Sequence, residues 1–176
     1  MNQKTHDLRP LERQQLATLR DWFPDADSCR RWGGPAFRYP FTAQGFREDL
    51  GFDELASFGL LGDAGELLGV GQYAERWGRC HLMRLAVAPH ARGRGLGGEL
   101  IRRLASRGGE ALGVETCSLW VFPDNPARRL YRRLGFAEAQ AAVPQPPLCY
   151  MVARLAELRR GLTPSRDGPS AWRAGH

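Results

Sequence analysis

Arg92-Gly93-Arg94-Gly95-Leu96-Gly97 constrains this chain more than any other stretch. Just before it, Leu82-Met83-Arg84-Leu85-Ala86-Val87 is short, apolar and closed by Pro89, the pattern of a buried strand. Just after it, Leu96, Leu100, Ile101, Leu104 and Ala105 recur as one face of an amphipathic helix running from Gly95 to about Leu112. The glycines therefore sit at a strand-to-helix turn. Backbone N–H groups there lie at the positive end of the helix dipole, where a phosphate or pyrophosphate is favoured. A chain without Cβ lets such a ligand approach closely, so a side chain at Gly95 or Gly97 is expected to obstruct it. Arg92 and Arg94 add positive charge. The alternative is a tight turn that only packs helix on strand.

Two phosphate motifs are excluded by spacing. A dinucleotide fold requires G-x-G-x-x-G before a parallel strand ending in an acidic residue, and these glycines are spaced differently. A phosphate-binding P-loop requires Gly-Lys-Ser/Thr, but the only lysine of the chain is Lys4.

Around this turn the pattern alternates between strands and helices. A short strand near Thr5–Leu8 precedes Pro10, which suits the first position of a helix reaching Trp22. Thr42 suits the cap of a helix through Leu50. Leu55–Leu61 and Leu67–Ala74 read as a hairpin, and Trp77-Gly78-Arg79 leads into the strand ending at Val87. Gly108-Gly109 are expected to weaken the last turns of the helix after the glycine turn. Thr116–Val121 is the next strand. Asn125 and Pro126 suit the cap and first position of a further helix that Gly135 ends. Strands near Phe136–Val143 and Leu148–Leu155 complete the sheet.

Arg92-x-x-Gly95-x-Gly97 after a Leu-Ala-Val-x-Pro strand end, followed by Leu130-Tyr131-Arg132-Arg133-Leu134-Gly135-Phe136, resembles the GCN5-related N-acetyltransferase (GNAT) superfamily. The resemblance spans roughly residues 5–154. It implies one α/β (α+β) domain over 1–160, with a mixed, mostly antiparallel sheet of about 6–7 strands flanked by helices, and a mobile tail over 161–176. It also implies acetyl-coenzyme A as cofactor and direct transfer of acetyl to a primary amine in a ternary complex. Backbone groups of Leu85, Ala86 and Val87 are then expected to meet the pantetheine arm, and those from Arg92 through Gly93, Arg94, Gly95, Leu96, Gly97 and Gly98 the pyrophosphate. Tyr131 is the expected general acid, with a core tyrosine as the alternative. The family usually places asparagine seven positions before this tyrosine, where Asp124 stands here; Asn125, one residue late, is the candidate for that contact. The general base is open between Glu75 and His81. A different acyl donor, or a non-catalytic acyl-coenzyme A sensor on the same fold, are the rival readings.

Trp22 to Phe46 is dense in aromatic residues broken by Gly33-Gly34-Pro35 and Pro40. Such rings either pack on the sheet or line a groove, and Trp32, Phe37, Tyr39 and Phe41 are the candidates for acceptor binding. Cys29, Cys80, Cys117 and Cys149 are scattered and read as free thiols; neither they nor the four histidines have metal-ligand spacing. The net charge of +6 comes almost wholly from arginines interspersed with acids, with no nucleic-acid motif. A polyanionic cofactor accounts for it as well as nucleic acid would, and a nucleic-acid-binding domain is the third reading, which a steep salt dependence of DNA binding would support. No apolar run approaches a membrane span and Met1–Asp7 lacks a signal-peptide core, so the expected setting is cytoplasmic. The acceptor amine, and whether the protein is a monomer or homodimer, stay open.

Overall fold

Two long strands carry the architecture, Leu67–Arg76 (β3) and Arg79–Val87 (β4). Only Trp77 and Gly78 join them, at φ 54° and 72°. Positive φ at both linking residues is what primed hairpin turns require, because their twist matches that of the paired strands. The computed structural model describes residues 6–160 and Leu162. Within them, Asp7–Pro10 (β1) and Ala56–Leu61 (β2) extend the sheet on one side. Thr116–Val121 (β5), Ala137–Glu138 (β6) and Cys149–Arg154 (β7) extend it on the other. The strand order is β1-β2-β3-β4-β5-β7-β6, and every pairing is antiparallel except β4 with β5.

That parallel pair needs a crossover, which Leu96–Leu112 (α4) supplies. Buried Leu96, Leu100, Ile101, Leu104 and Ala105 form its inner face, as the spacing predicts. Gly108 and Gly109 do not weaken the helix; they bring it against its neighbours. A Cβ at Gly108 would stand 2.5 Å from Cys80 Sγ and 2.9 Å from Tyr73 Cγ, and one at Gly109 would stand 2.2 Å from Leu155 Cδ1. Leu155 opens the short helix Leu155–Arg159 (α6).

Leu16–Arg20 (α1), Ala26–Gly33 (α2) and Ala43–Leu50 (α3) carry the N-terminal aromatics. Asp25 and Thr42 cap α2 and α3 through the N–H groups of Ser28 and Gly45. Pro10 departs from expectation: it ends edge strand β1, where a missing N–H is tolerated, and helical turns begin only at Arg13. The expected strand over Phe136–Val143 shrinks to Ala137–Glu138, because Phe136 is used in ending the preceding helix, Ala127–Leu134 (α5). The expected tail over 161–176, with Trp172, lies outside the described residues apart from Leu162. No described helix is long and apolar enough to cross a membrane.

The contact of α4 with β3 and β4 yields a direct test. Gly108→Val forces a branched side chain against Cys80 and Tyr73, and overpacking of this kind costs about 1–3 kcal/mol. A urea midpoint lowered correspondingly at unchanged m-value is the expected result; an unchanged midpoint would show that the helix can shift freely.

Candidate active site

The site begins with an irregularity in β4. Val70 pairs with Ala86, but Gln72 pairs with Met83, so two residues, Arg84 and Leu85, stand opposite the single Gly71. This is a β-bulge, and Arg84 sits in it at φ 49°, a left-handed conformation that costs a non-glycine residue about 1–3 kcal/mol. Gly71 makes room for it: a Cβ there would lie 2.9 Å from Leu85 Cδ2 and 2.6 Å from Leu104 Cδ2.

Three contacts hold the strained residue. The Trp32 indole N–H donates to the Arg84 carbonyl at 2.8 Å. Arg84 Nη1 donates to Gln72 Oε1 at 2.8 Å and to the Leu50 carbonyl at 3.3 Å. Gln72, fully buried, donates in turn to Leu50 O and Ser57 Oγ. A buried amide placed this way is satisfied, and it ties β2, β3, β4 and the end of α3 together.

The ladder between β4 and β5 stops beside the bulge. Pairing runs from Cys80 with Cys117 to Leu82 with Leu119 and ends there, although both strands continue. The β5-facing backbone edge of Met83 to Val87 is thus left without a strand partner, and the strands part. A cavity of about 390 Å³ fills the gap. Leu82, Met83, Arg84 and Leu85 wall one side, Leu119, Trp120, Val121 and Phe122 the other, with Trp32, Trp77, His81, Asn125 and Tyr131 around them.

Beyond the cavity β4 runs through Ala86 and Val87 to the glycine turn. Gly93 and Gly95 have φ 76° and 77°, and nothing lies within 4 Å of a Cβ built on either. That conformation suits glycine, and the turn's outer side is open at the N-terminus of α4. Arg92 and Arg94 fold back onto the carbonyls of Val87 and His90 but remain exposed.

Tyr131 reaches the cavity from α5, and the end of that helix fixes it. Gly135 at φ 106° donates to the Arg132 carbonyl, and Phe136 N–H donates to the Tyr131 carbonyl at 3.0 Å. The two bonds form a Schellman motif, whose usual apolar contact is made by the Phe136 and Tyr131 rings, 6.0 Å apart. Burial pushes the Tyr131 phenol up to about 12, so it stays protonated at any working pH.

The model of the Acetyltransferase (GNAT) family matches residues 19–136, which include the bulge, the glycine turn and Tyr131. The chain belongs to the GNAT acetyltransferase family. Solved structures agree in fold. Spermidine N-acetyltransferase from Vibrio cholerae, in complex with CoA and spermine, is 20% identical with a TM-score of 0.68, over 87% of this chain and 97% of that one. An aminoglycoside acetyltransferase in complex with coenzyme A is 22% identical with a TM-score of 0.66, over 89% and 99% of the two chains.

The acyl donor of this GNAT enzyme is acetyl-coenzyme A, and its residues fit that group. The open glycine turn has room for a pyrophosphate, and the unpaired edge of β4 offers free backbone groups to a pantetheine arm. Gly97 is also tied to α5: a Cβ there would lie 3.1 Å from Leu130 Cδ2, so its lack of a side chain lets α5 pack close. Leu96 is buried core, and Gly98 lies beside Leu130 and Leu134. Asn125 does line the cavity, but its Oδ1 accepts from Ala127 N–H at 2.9 Å, capping a helix that starts one residue later than its sequence suggests. Its amide NH₂ remains for a ligand.

Of the two candidate bases only His81 lines the cavity. Glu75 is spent on the hairpin turn, accepting from Gly78 N–H at 2.7 Å. His81 is 4% exposed, with Nδ1 2.9 Å from Ser118 Oγ. Of the four aromatic candidates only Trp32 lines the cavity. Phe37 and Phe41 pack edge-on against Phe46 in the core, and the exposed Tyr39 donates to the Pro24 carbonyl. Aromatic density gave no direction for these rings. Arg84, Trp77 and Trp120 were missed. The visible clue was Gln72, a polar residue inside an apolar strand.

Burial, with repulsion from Arg76 as a lesser cause, lowers the His81 pKa from 6.5 to about 4. The unfolded chain then binds a proton between these values that the folded chain refuses, so stability falls as pH falls from about 6.5 to about 4. The loss amounts to about 3 kcal/mol. His81→Asn is expected to flatten the decline in urea midpoint between pH 7 and pH 4.5. An unchanged pH dependence would assign the acid sensitivity to other groups.

Proposed function

We propose that this acetyltransferase transfers acetyl to a primary amine by direct attack within a ternary complex. The observation that carries the reading is convergence: the unpaired edge of β4, a neutral histidine and a buried tyrosine meet on one cavity below an open phosphate turn. Bound acetyl-coenzyme A supplies an acetyl thioester. The backbone N–H groups of Gly93 to Gly97 hold its pyrophosphate, and the backbone of Met83 to Val87 orients the pantetheine arm and polarises the acyl carbonyl, as preorganised donors do. Trp32, Trp77 and Trp120 shield the reacting atoms from water.

His81, neutral throughout the working range but a weak base because it is buried, accepts a hydrogen bond from the water that takes the proton of the attacking amine. Tyr131 Oη gives a proton to the departing sulfur. One carbon–sulfur bond is broken, one carbon–nitrogen bond is formed, and the protons balance. The placement of Tyr131 on the cavity wall speaks against a non-catalytic acyl-coenzyme A module. The polyamine and aminoglycoside activities of the two structural neighbours support a small amine as acceptor class, and free thiols at all four cysteines support a reducing, cytoplasmic setting.

Tyr131→Phe keeps the ring against Phe136 and removes only the hydroxyl. The variant is expected to melt within a few degrees of the parent and bind acetyl-coenzyme A equally, yet lose ~10²-fold or more in kcat. Calorimetry and steady-state rates on one preparation decide the matter. Undiminished kcat with intact binding would remove Tyr131 from the mechanism.

A further inference from the structure

The charges around the cavity do not suit a polycation. Arg31, Arg76 and Arg84 line it, and among the described residues no aspartate or glutamate does. The acids that bear on these arginines are committed. Asp27 and Asp124 flank Arg31 at 2.8 and 3.5 Å, and Asp49 accepts from both the Nε and Nη2 of Arg38. Arg76 makes no salt bridge among the described residues, and Arg84 feels repulsion from Arg76 beside a larger attraction to Asp49.

Two hydrogen-bond donors, one on each of the facing walls, lack acceptors. Arg84 Nε and Trp120 Nε1 are both buried with no partner among the described residues. A buried donor without an acceptor is costly, and an anion is the group that would relieve it. A planar guanidinium pairs best with a planar carboxylate. Trp32, Trp77, Trp120 and Phe122 add aromatic faces to the same lining.

We infer that the acceptor is an amine carrying a carboxylate on an apolar body, with the carboxylate held by Arg84 and Arg76 and the body against the tryptophans. This rests on the acyl-transfer reading above and gives it a substrate class that carries an anionic group and no net positive charge, unlike polyamines and aminoglycosides. Arg84 then has two tasks: its backbone makes the bulge, and its guanidinium selects what enters the gap that the bulge opens.

Matched pairs test it, since phenylalanine and phenethylamine differ only by the carboxylate. With the full chain, kcat/KM is expected to be at least tenfold higher for phenylalanine than for phenethylamine, and higher than for spermidine. Arg76→Gln, at an exposed strand end, is expected to narrow the ratio at least threefold through KM, and Arg84→Gln to abolish it. Arg84→Lys is expected to restore part of it. Calorimetry with coenzyme A already bound reads the same preference without turnover. Equal or better use of phenethylamine or spermidine overturns the inference. So does carboxylate binding that vanishes once coenzyme A is present, which would assign the arginines to the coenzyme. If acetyl-coenzyme A binds but neither member of the pair is bound or acetylated, this acceptor class falls and the donor site stands. If the coenzyme fails to bind while the carboxylate preference persists, the anion site stands and the acyl-transfer reading falls.

Discussion

The bulge at Arg84 is the constraint from which the site follows. An extra residue in β4 opposite Gly71 changes the strand's direction, and the ladder with β5 ends within two residues of it. Without it the parallel pair could continue in the same register to Arg84 opposite Val121, filling the gap with backbone hydrogen bonds. The cavity is thus a place where sheet pairing has been given up. The stability lost there is offset by the deep packing of α4, whose Gly108 and Gly109 lie close to Cys80, Tyr73 and Leu155.

Holding an arginine left-handed and half-buried needs support from several elements. Gln72 receives the guanidinium, Leu50 O at the end of α3 accepts from both, and Trp32 from α2 binds the bulge carbonyl. The N-terminal helices therefore do more than cover a face. Their aromatic cluster fixes Trp32, stacked 4.2 Å from Phe23 and 5.9 Å from Phe46, so that its indole N–H reaches β4. Phe41 serves the site through this packing, while Phe37 both packs on Trp32 and lies under the Arg84 guanidinium, whose carbon is 5.8 Å from the ring centre.

Much of this architecture was legible in the sequence. The glycine turn, the inner face of α4 and the tyrosine helix each rest on local chemistry: glycines that adopt positive φ, a 3.6-residue period, and Leu-Gly-Phe at a helix end. The bulge was not legible, because no residue pattern marks an arginine in the left-handed region; tertiary contacts impose it. Direction was equally hidden. Composition placed aromatic rings between Trp22 and Phe46 but could not say that Trp32 faces the cavity while Phe37 faces the core. Pro10 misled for a related reason: proline suits a first helical position and an edge strand alike, and pairing with β2 decided between them.

The acid role proposed for Tyr131 has to be weighed in the same cavity. Against an ordinary thiol near ~8.5, a phenol at about 12 makes proton transfer uphill by roughly three units, or about 4–5 kcal/mol. That comparison sets a buried acid against a solvated base. Desolvation penalises any anion, so a thiolate released into the gap between β4 and β5 is also destabilised, and its conjugate acid weakens with that of the phenol. The gap between them narrows where the reaction occurs. In the mechanism proposed above, burial therefore does two things at once: it keeps the Tyr131 phenol protonated, and it would make a sulfur departing there basic enough to take the proton.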